Sequence, residues 1–180
     1  ACSPEHLAET HQLDLLIAME GGEELRWAIP GALVNVEGPM GTFVLPEVLD
    51  ARRLLFVAGG TGIAPLRAMI DHVIRDHPDA QVSVLYSARR ADEFAFIDDL
   101  RRLHESGQLE LHQTVTRDES ASWQGRRGRI GRPEFESVVH EAAQTMCFVC
   151  GPPSMVEESI AVLGALGVPP GAIRTEQWGR

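Results

Sequence analysis

The sequence predicts an α/β fold, an open parallel sheet of about five strands with helices on both faces. From residue 53 onward, short apolar runs alternate with segments of helical periodicity, which is typical of a parallel sheet covered by helices. The apolar runs are continuous rather than alternating, as strands buried on both faces are. With 180 residues, 44% of them hydrophobic, the chain is long enough to bury such a core without disulfides.

Composition narrows the possible partners and the compartment. The chain carries 16 Lys+Arg and 26 Asp+Glu, a formal charge of −10, so nucleic acid and anionic membranes are repelled and are not expected as partners. The longest apolar runs are too short to cross a bilayer. Three cysteines are too few for a secreted disulfide scaffold, which predicts a cytoplasmic protein.

The predicted elements follow one another as strand and helix. The five strands are expected at residues 54–58, 82–86, 109–115, 146–150 and 172–178. Helices are expected from Pro65 to His77, through Phe94, Ile97, Leu100 and Leu103 to Gly107, from Pro133 onward, and through Met155 to Gly167. The polar stretch 116–132 is predicted to be a loop.

The first fifty residues differ in character from the rest. Strands are expected at residues 13–17 and 33–37, separated by Gly21-Gly22 and Pro30-Gly31. Two or three strands are too few to close a barrel and are marginal alone in water. This segment is therefore expected to pack on the α/β part, on another chain or on further residues.

Residues Gly59, Gly60, Thr61 and Gly62 follow a buried strand and open a helix. Such a turn lets the backbone approach a ligand closely and directs helix N–H groups at an anion, which predicts a phosphate-binding turn. It is not a G-x-G-x-x-G motif, because Pro65 stands near the third glycine position. The alternative is a tight strand-to-helix connection that binds nothing.

The second strand ends in Tyr86-Ser87-Ala88-Arg89-Arg90, where dinucleotide-binding folds usually carry an acid for the ribose. Guanidinium groups pair bidentately with phosphate, so this segment favours a 2′-phosphate, and Thr116-Arg117 after the third strand adds a further arm. The alternative is that Arg89 and Arg90 flank an exposed, acidic helix start.

The pair Cys147 and Cys150 forms a C-x-x-C motif, which elsewhere indicates zinc or thiol redox chemistry. Residues three apart in a strand point to opposite faces, so these two sulfurs are not expected to share a metal or form a disulfide. Cys147 is predicted to be a core thiol and Cys150 to lie at the ligand-binding rim of the sheet. The histidines show no metal-ligand spacing, and no metal site is expected.

Two motifs give the chain a family resemblance. LLFVAGGTGIAP at residues 54–65 and CGPPSM at residues 150–155 resemble the pyrophosphate and nicotinamide loops of ferredoxin-NADP+ reductase-like flavoprotein oxidoreductases. The resemblance implies Cys150 as a catalytic-site residue that shapes the nicotinamide approach. It also implies a set of cofactor-binding residues: Gly59, Gly60, Thr61, Gly62, Pro65, Ser87, Arg89, Arg90, Thr116, Arg117, Gly151, Pro152, Pro153 and Met155.

The same resemblance implies the organisation and activity of the protein. Residues 1–50 resemble part of an antiparallel, flavin-binding β-barrel, and residues 51–180 a Rossmann-like NAD(P)-binding domain. The expected activity is hydride transfer from NADPH or NADH to FAD of the intact parent protein, with onward transfer to a redox protein or small molecule. The alternatives are a flavin-free nucleotide-binding module and an interaction subunit of a larger reductase. Self-association through an unpaired strand edge is a further expectation.

Overall fold

The computed structural model of the protein describes residues 10–17, 29–37 and 41–178. Its centre is a parallel sheet in the order β4-β3-β2-β1-β5-β6. The strands are β1 (Arg53–Gly59), β2 (Gln81–Ala88), β3 (Glu110–Val115), β4 (Arg126–Arg127), β5 (Thr145–Gly151) and β6 (Ile173–Gln177). The predicted parallel sheet is confirmed, and all five predicted strands are present.

Helices cover both faces of the sheet, as predicted. They are α1 (Ile63–Asp76), α2 (Ile97–Glu105), α3 (Arg132–Val138) and α4 (Pro153–Ala165). Alternate residues of β1 point to opposite sides: Phe56 packs in the hydrophobic cluster under α1 and α2, whereas Leu55 and Val57 pack in the cluster under α3 and α4. The strand is buried on both faces, which explains its unbroken apolar sequence.

The prediction differs from the structure at two places in this α/β part. A short sixth strand, β4, lies within residues 116–132, where a loop was predicted, and pairs Arg126 with Thr114 of β3. Two residues are too few to produce a recognisable strand pattern. Phe94, expected on a helix, precedes α2 and is buried against the core before the helix begins at Ile97.

The two strands predicted near the amino terminus are not formed. Residues 11–17 and 32–37 contain no strand, because a strand exists only where a neighbouring strand supplies its hydrogen bonds. Residues 18–28, with Gly21-Gly22, lie outside the described part of the chain. The segment from residue 41 does pack on the α/β core: the Phe43 and Phe148 rings lie 6.1 Å apart, edge to face.

The order of the strands positions the functional site. The chain runs outward from β1 through β2 and β3 to β4, then returns to the other side of β1 to form β5. In open α/β sheets, ligands bind beyond the carboxyl ends of the strands, where the strand order reverses. The predicted site residues follow the strands on both sides of this reversal. No helix in the described ranges is long and apolar enough to span a bilayer.

Candidate nucleotide-binding site

A cleft of about 660 Å³ opens at the carboxyl ends of β1, β2, β3 and β5. It collects predicted site residues from four separate segments of the chain. Those that line it are Gly59, Gly60, Thr61, Ser87, Arg89, Thr116, Arg117, Pro152 and Met155. The two glycine-containing corners, after β1 and after β5, therefore lie side by side at one rim of the sheet.

The glycine turn after β1 has two structural requirements. Gly60 has a φ of +53°, in the left-handed region that favours glycine. Gly62 packs against the end of β5, and a Cβ atom there would lie 2.2 Å from the carbonyl oxygen of Cys150. Gly62 is thus needed for the two corners to pack, and it lies behind the residues that line the cleft. The turn runs as a short 3-10 helix over Gly60–Gly62 directly into α1.

Tyr86, near the end of β2, fixes the glycine turn from the side. Its hydroxyl donates a hydrogen bond to the carbonyl oxygen of Gly60 (3.1 Å) and accepts one from the N–H of Ala95 (3.0 Å). Its ring packs edge to face on Phe94 at 4.8 Å. Burial raises the pKa of Tyr86 from 10 to about 12, so it is a neutral phenol at physiological pH.

The three arginines predicted to bind phosphate separate into two groups. Arg89 and Arg117 line the cleft, and their backbones are joined by a hydrogen bond from the Arg117 N–H to the Arg89 carbonyl (2.8 Å). Arg90 is not among the lining residues; its guanidinium forms an ion pair with Asp92 at 3.1 Å. The hydrogen bonds that Arg90 donates to the Asp92 carboxylate raise the pKa of Arg90. Of the three predicted arginines, Arg89 and Arg117 line the cleft and Arg90 does not.

Cys150 lies immediately behind the cleft. Its Sγ is 3.9 Å from a carboxylate oxygen of Glu176 on β6, and the residue is 2% exposed. Burial, with the charge of Glu176, raises its pKa to about 12, so the sulfur is a neutral thiol rather than a nucleophilic thiolate. Cys147 packs on the other face of the sheet and is completely buried, which confirms that the C-x-x-C sulfurs point apart.

The remaining predicted residues, Pro65, Gly151 and Pro153, are not among those that line the cleft. Pro65 is in the first turn of α1 and Pro153 is the first residue of α4. Gly151 allows β5 to pass close to β1, since a Cβ there would lie 3.3 Å from the Gly59 Cα. Gly151 thus permits the close packing of the two corners, and the two prolines lie in the first turns of the helices that follow them.

Sequence reasoning missed several residues of the cleft. Trp178, directly after β6, lies over the glycine turn, 3.3 Å from where a Cβ of Gly60 would stand, and its backbone N–H donates to the Gly151 carbonyl (3.1 Å). Its position after a parallel strand was the available signal, because parallel strands end at the same edge. Four other missed residues with polar side chains line the cleft: Glu93, Arg129, Ser154 and Glu158.

Comparison with known proteins identifies the family of the chain. Residues 56–160, more than half of the chain, match the family model described as the oxidoreductase NAD-binding domain. The chain belongs to this family. The match includes the glycine turn, Arg89, Arg117 and the corner after β5. The predicted kinship with ferredoxin-NADP+ reductase-like oxidoreductases is confirmed by relatives and solved structures of that group.

Three relatives illustrate the similarity. One component of the Na+-translocating NADH-quinone reductase of Mannheimia succiniciproducens is 32% identical over 79% of this chain and 36% of its own length. The electron transfer component of xylene/toluene monooxygenase of Pseudomonas putida is 28% identical, over 77% of this chain and 39% of its own. The ferredoxin reductase in carbazole 1,9a-dioxygenase superposes with a TM-score of 0.68 and 27% identity, covering 79% and 42% of the two chains. This chain thus spans well under half the length of each of these three proteins.

Proposed function

We propose that the cleft binds NADPH or NADH as the hydride donor of a flavin-dependent oxidoreductase. The observation that carries the proposal is the convergence of nine predicted residues, from segments about ninety residues apart in the chain, on one cleft at the sheet reversal. The membership of the chain in the oxidoreductase NAD-binding domain family supports it.

Each part of the cleft suits one part of the coenzyme. The turn at Gly60 and Thr61 leads into α1, whose N-terminal N–H groups suit the pyrophosphate. Arg89 and Arg117 suit the adenosine end, and Pro152 beside Gly59 suits the nicotinamide end. Bound nicotinamide supplies the hydride, and the protein's contribution is to orient the ring and exclude water. Cys150 acts by packing behind the Gly59 and Pro152 corners, as a neutral thiol.

The charges at the adenosine end favour NADPH over NADH. Arg89 and Arg117 offer two guanidiniums to a 2′-phosphate, and a charge-assisted contact of this kind is worth about 1.5 to 3 kcal/mol. Glu93 also lines the cleft and reduces the net positive charge there. The preference is therefore for the phosphorylated coenzyme, with NADH as a weaker second ligand.

The proposed reaction also needs a flavin and an electron acceptor. We propose that residues 51–180 form the NAD(P)-binding domain and that residues 1–50 belong to a flavin-binding barrel completed by further residues. FAD would then receive the hydride and pass electrons to a redox protein or a small molecule. A cytoplasmic location and self-association stay predictions.

Two measurements test the proposal with the 180-residue chain. Isothermal titration calorimetry with NADPH and with NADH should show binding of both, tighter for NADPH. Purification with added FAD, followed by reduction of a dye acceptor by NADPH, then distinguishes the alternatives. Retained flavin with turnover supports a complete reductase, and coenzyme binding without flavin supports the nucleotide-binding part of one. Absence of heat with either coenzyme would contradict the proposal.

A further inference from the structure

The loops that follow β2 and β3 are joined by one side chain, Asp118. Its Oδ2 accepts a hydrogen bond from the N–H of Ala91 in the loop after β2 (2.9 Å). Its Oδ1 accepts one from the N–H of Ser120 in its own loop (2.9 Å). Hydrogen bonds from Ser120 and Ala91 lower the pKa of Asp118 to about 2, so the group is a carboxylate at any physiological pH.

The two arginines of the cleft belong to these same loops. The Thr116 N–H donates to the Ala88 carbonyl (3.0 Å), and the Arg117 N–H donates to the Arg89 carbonyl (2.8 Å). These bonds continue the pairing of β2 with β3 beyond the ends of both strands, and they place Arg89 opposite Arg117. The hydrogen bond between the Asp118 carboxylate and the Ala91 N–H, which we call the Asp118 bridge, is the next contact between the two loops after that of Arg117 with Arg89.

Asp118 is itself held in place through its main chain. The Arg127 guanidinium donates to the carbonyl oxygens of Asp118 (3.0 Å), Ser120 (2.7 Å) and Trp123 (2.9 Å). The loop after β3 is therefore closed on itself, and the Asp118 carboxylate is presented to the neighbouring loop. Asp118 is not among the residues that line the cleft, whereas Arg89 and Arg117 are.

We propose that Asp118 is a positioning residue for nucleotide binding, whose carboxylate fixes the spacing of Arg89 and Arg117 by tying their two loops together. Two guanidiniums held at a fixed spacing bind one phosphate more tightly than two mobile ones, because less freedom is lost on binding. The inference rests on the proposed function of the cleft, and it concerns the 2′-phosphate of NADPH in particular.

Positioning and simple electrostatics predict opposite results when the Asp118 charge is removed. The negative charge of Asp118, near Arg89 and Arg117, repels an anionic ligand, so loss of that charge alone would strengthen NADPH binding. Loss of the bridge would weaken NADPH binding, because the two loops would then be joined at Arg89 and Arg117 by backbone hydrogen bonds alone and the two side chains would be held less firmly. The neighbouring Glu119, an exposed carboxylate, provides a matched control that removes the same charge one residue further on.

The test is calorimetry of NADPH and NADH binding to the wild-type chain and to Asp118→Ala, Asp118→Asn and Glu119→Ala. We expect Asp118→Ala to raise the dissociation constant for NADPH about tenfold or more and that for NADH less. Asp118→Asn keeps one acceptor oxygen and should give an intermediate value. Glu119→Ala should bind NADPH as tightly as the wild type or slightly more tightly.

The outcomes separate this inference from the function on which it rests. If Asp118→Ala binds NADPH as tightly as Glu119→Ala does, the positioning role is wrong while the cleft assignment stands. Equal losses for NADPH and NADH, accompanied by a lowered unfolding temperature, would indicate a merely structural role and would also overturn it; Asp118→Asn provides the same comparison in a less disruptive variant. If the wild-type chain binds neither coenzyme, the proposed function itself is wrong.

Discussion

The hydroxyl of Tyr86 donates a hydrogen bond to the carbonyl oxygen of Gly60, across a distance of 3.1 Å. Tyr86 is on β2 and Gly60 is in the turn after β1, so this bond ties the glycine turn to the neighbouring strand. The same hydroxyl accepts the Ala95 N–H, which holds the segment before α2 against the turn. One buried side chain therefore organises two walls of the cleft.

Replacement of Tyr86 by Phe should destabilise the protein by about 1 to 2 kcal/mol, because the Ala95 N–H and the Gly60 carbonyl lose their partner in a partly buried place. The ring and its contact with Phe94 remain, so the fold should persist. The midpoint of urea unfolding measures the change. An unchanged midpoint would show that solvent replaces the hydroxyl without cost.

The ionisation of Tyr86 can be observed directly by absorbance, because it is the only tyrosine of the chain. In the folded protein the tyrosinate absorbance should rise with a midpoint of about 12, against about 10 in denaturant. Since the folded pKa is the higher one, the corresponding stabilisation is complete below about pH 10 and is lost as the pH rises through about 12. A folded-state midpoint near 10 would mean that Tyr86 is solvated.

A side chain at Gly62 should disrupt the fold itself. The added Cβ of Gly62→Ala would stand 2.2 Å from the Cys150 carbonyl oxygen, so we expect a loss of about 3 kcal/mol or more. Gly164→Ala is the matched control, because Gly164 lies in α4 with no atom within 4 Å of its added Cβ. It should stabilise the helix by about 0.5 to 1 kcal/mol. Equal unfolding midpoints for the two variants would contradict the tight packing of the corners.

Arg90, in the loop after β2, and Arg117, in the loop after β3, should contribute unequally to coenzyme binding. Arg117→Ala should weaken NADPH binding about tenfold or more and NADH binding less, because only NADPH carries the 2′-phosphate. Arg90→Ala should leave both affinities within about twofold, since Arg90 is exposed and pairs with Asp92 outside the cleft. Calorimetry measures the NADPH and NADH dissociation constants of both variants. Equal losses of NADPH and NADH for Arg117→Ala would remove Arg117 from the 2′-phosphate site.

The face of the sheet on which each strand residue lies was predictable, because successive side chains of a strand point to opposite faces. Cys147 and Cys150 lie on opposite faces of β5, as the alternation of side chains requires. The glycine corners were predictable for a similar reason, since parallel strands end at a common edge. The amino-terminal strands were predicted wrongly, because the apolar residues at 13–17 and 33–37 favour a strand but do not show whether a neighbouring strand is present.

The sequence by itself determined the parallel sheet, its helices and the meeting of two glycine-containing turns at one edge, because periodicity and turn chemistry are local properties of the chain. Only the tertiary structure decided which side chains of the loops face the cleft. Arg89 faces it and Arg90 does not, although they are adjacent, because Asp92 pairs with Arg90 and Arg117 is bonded to the Arg89 backbone. Trp178 reaches the same cleft from the far end of the sequence. The Arg117–Arg89 bond and the approach of Trp178 join residues distant in the chain, and no local pattern encodes them.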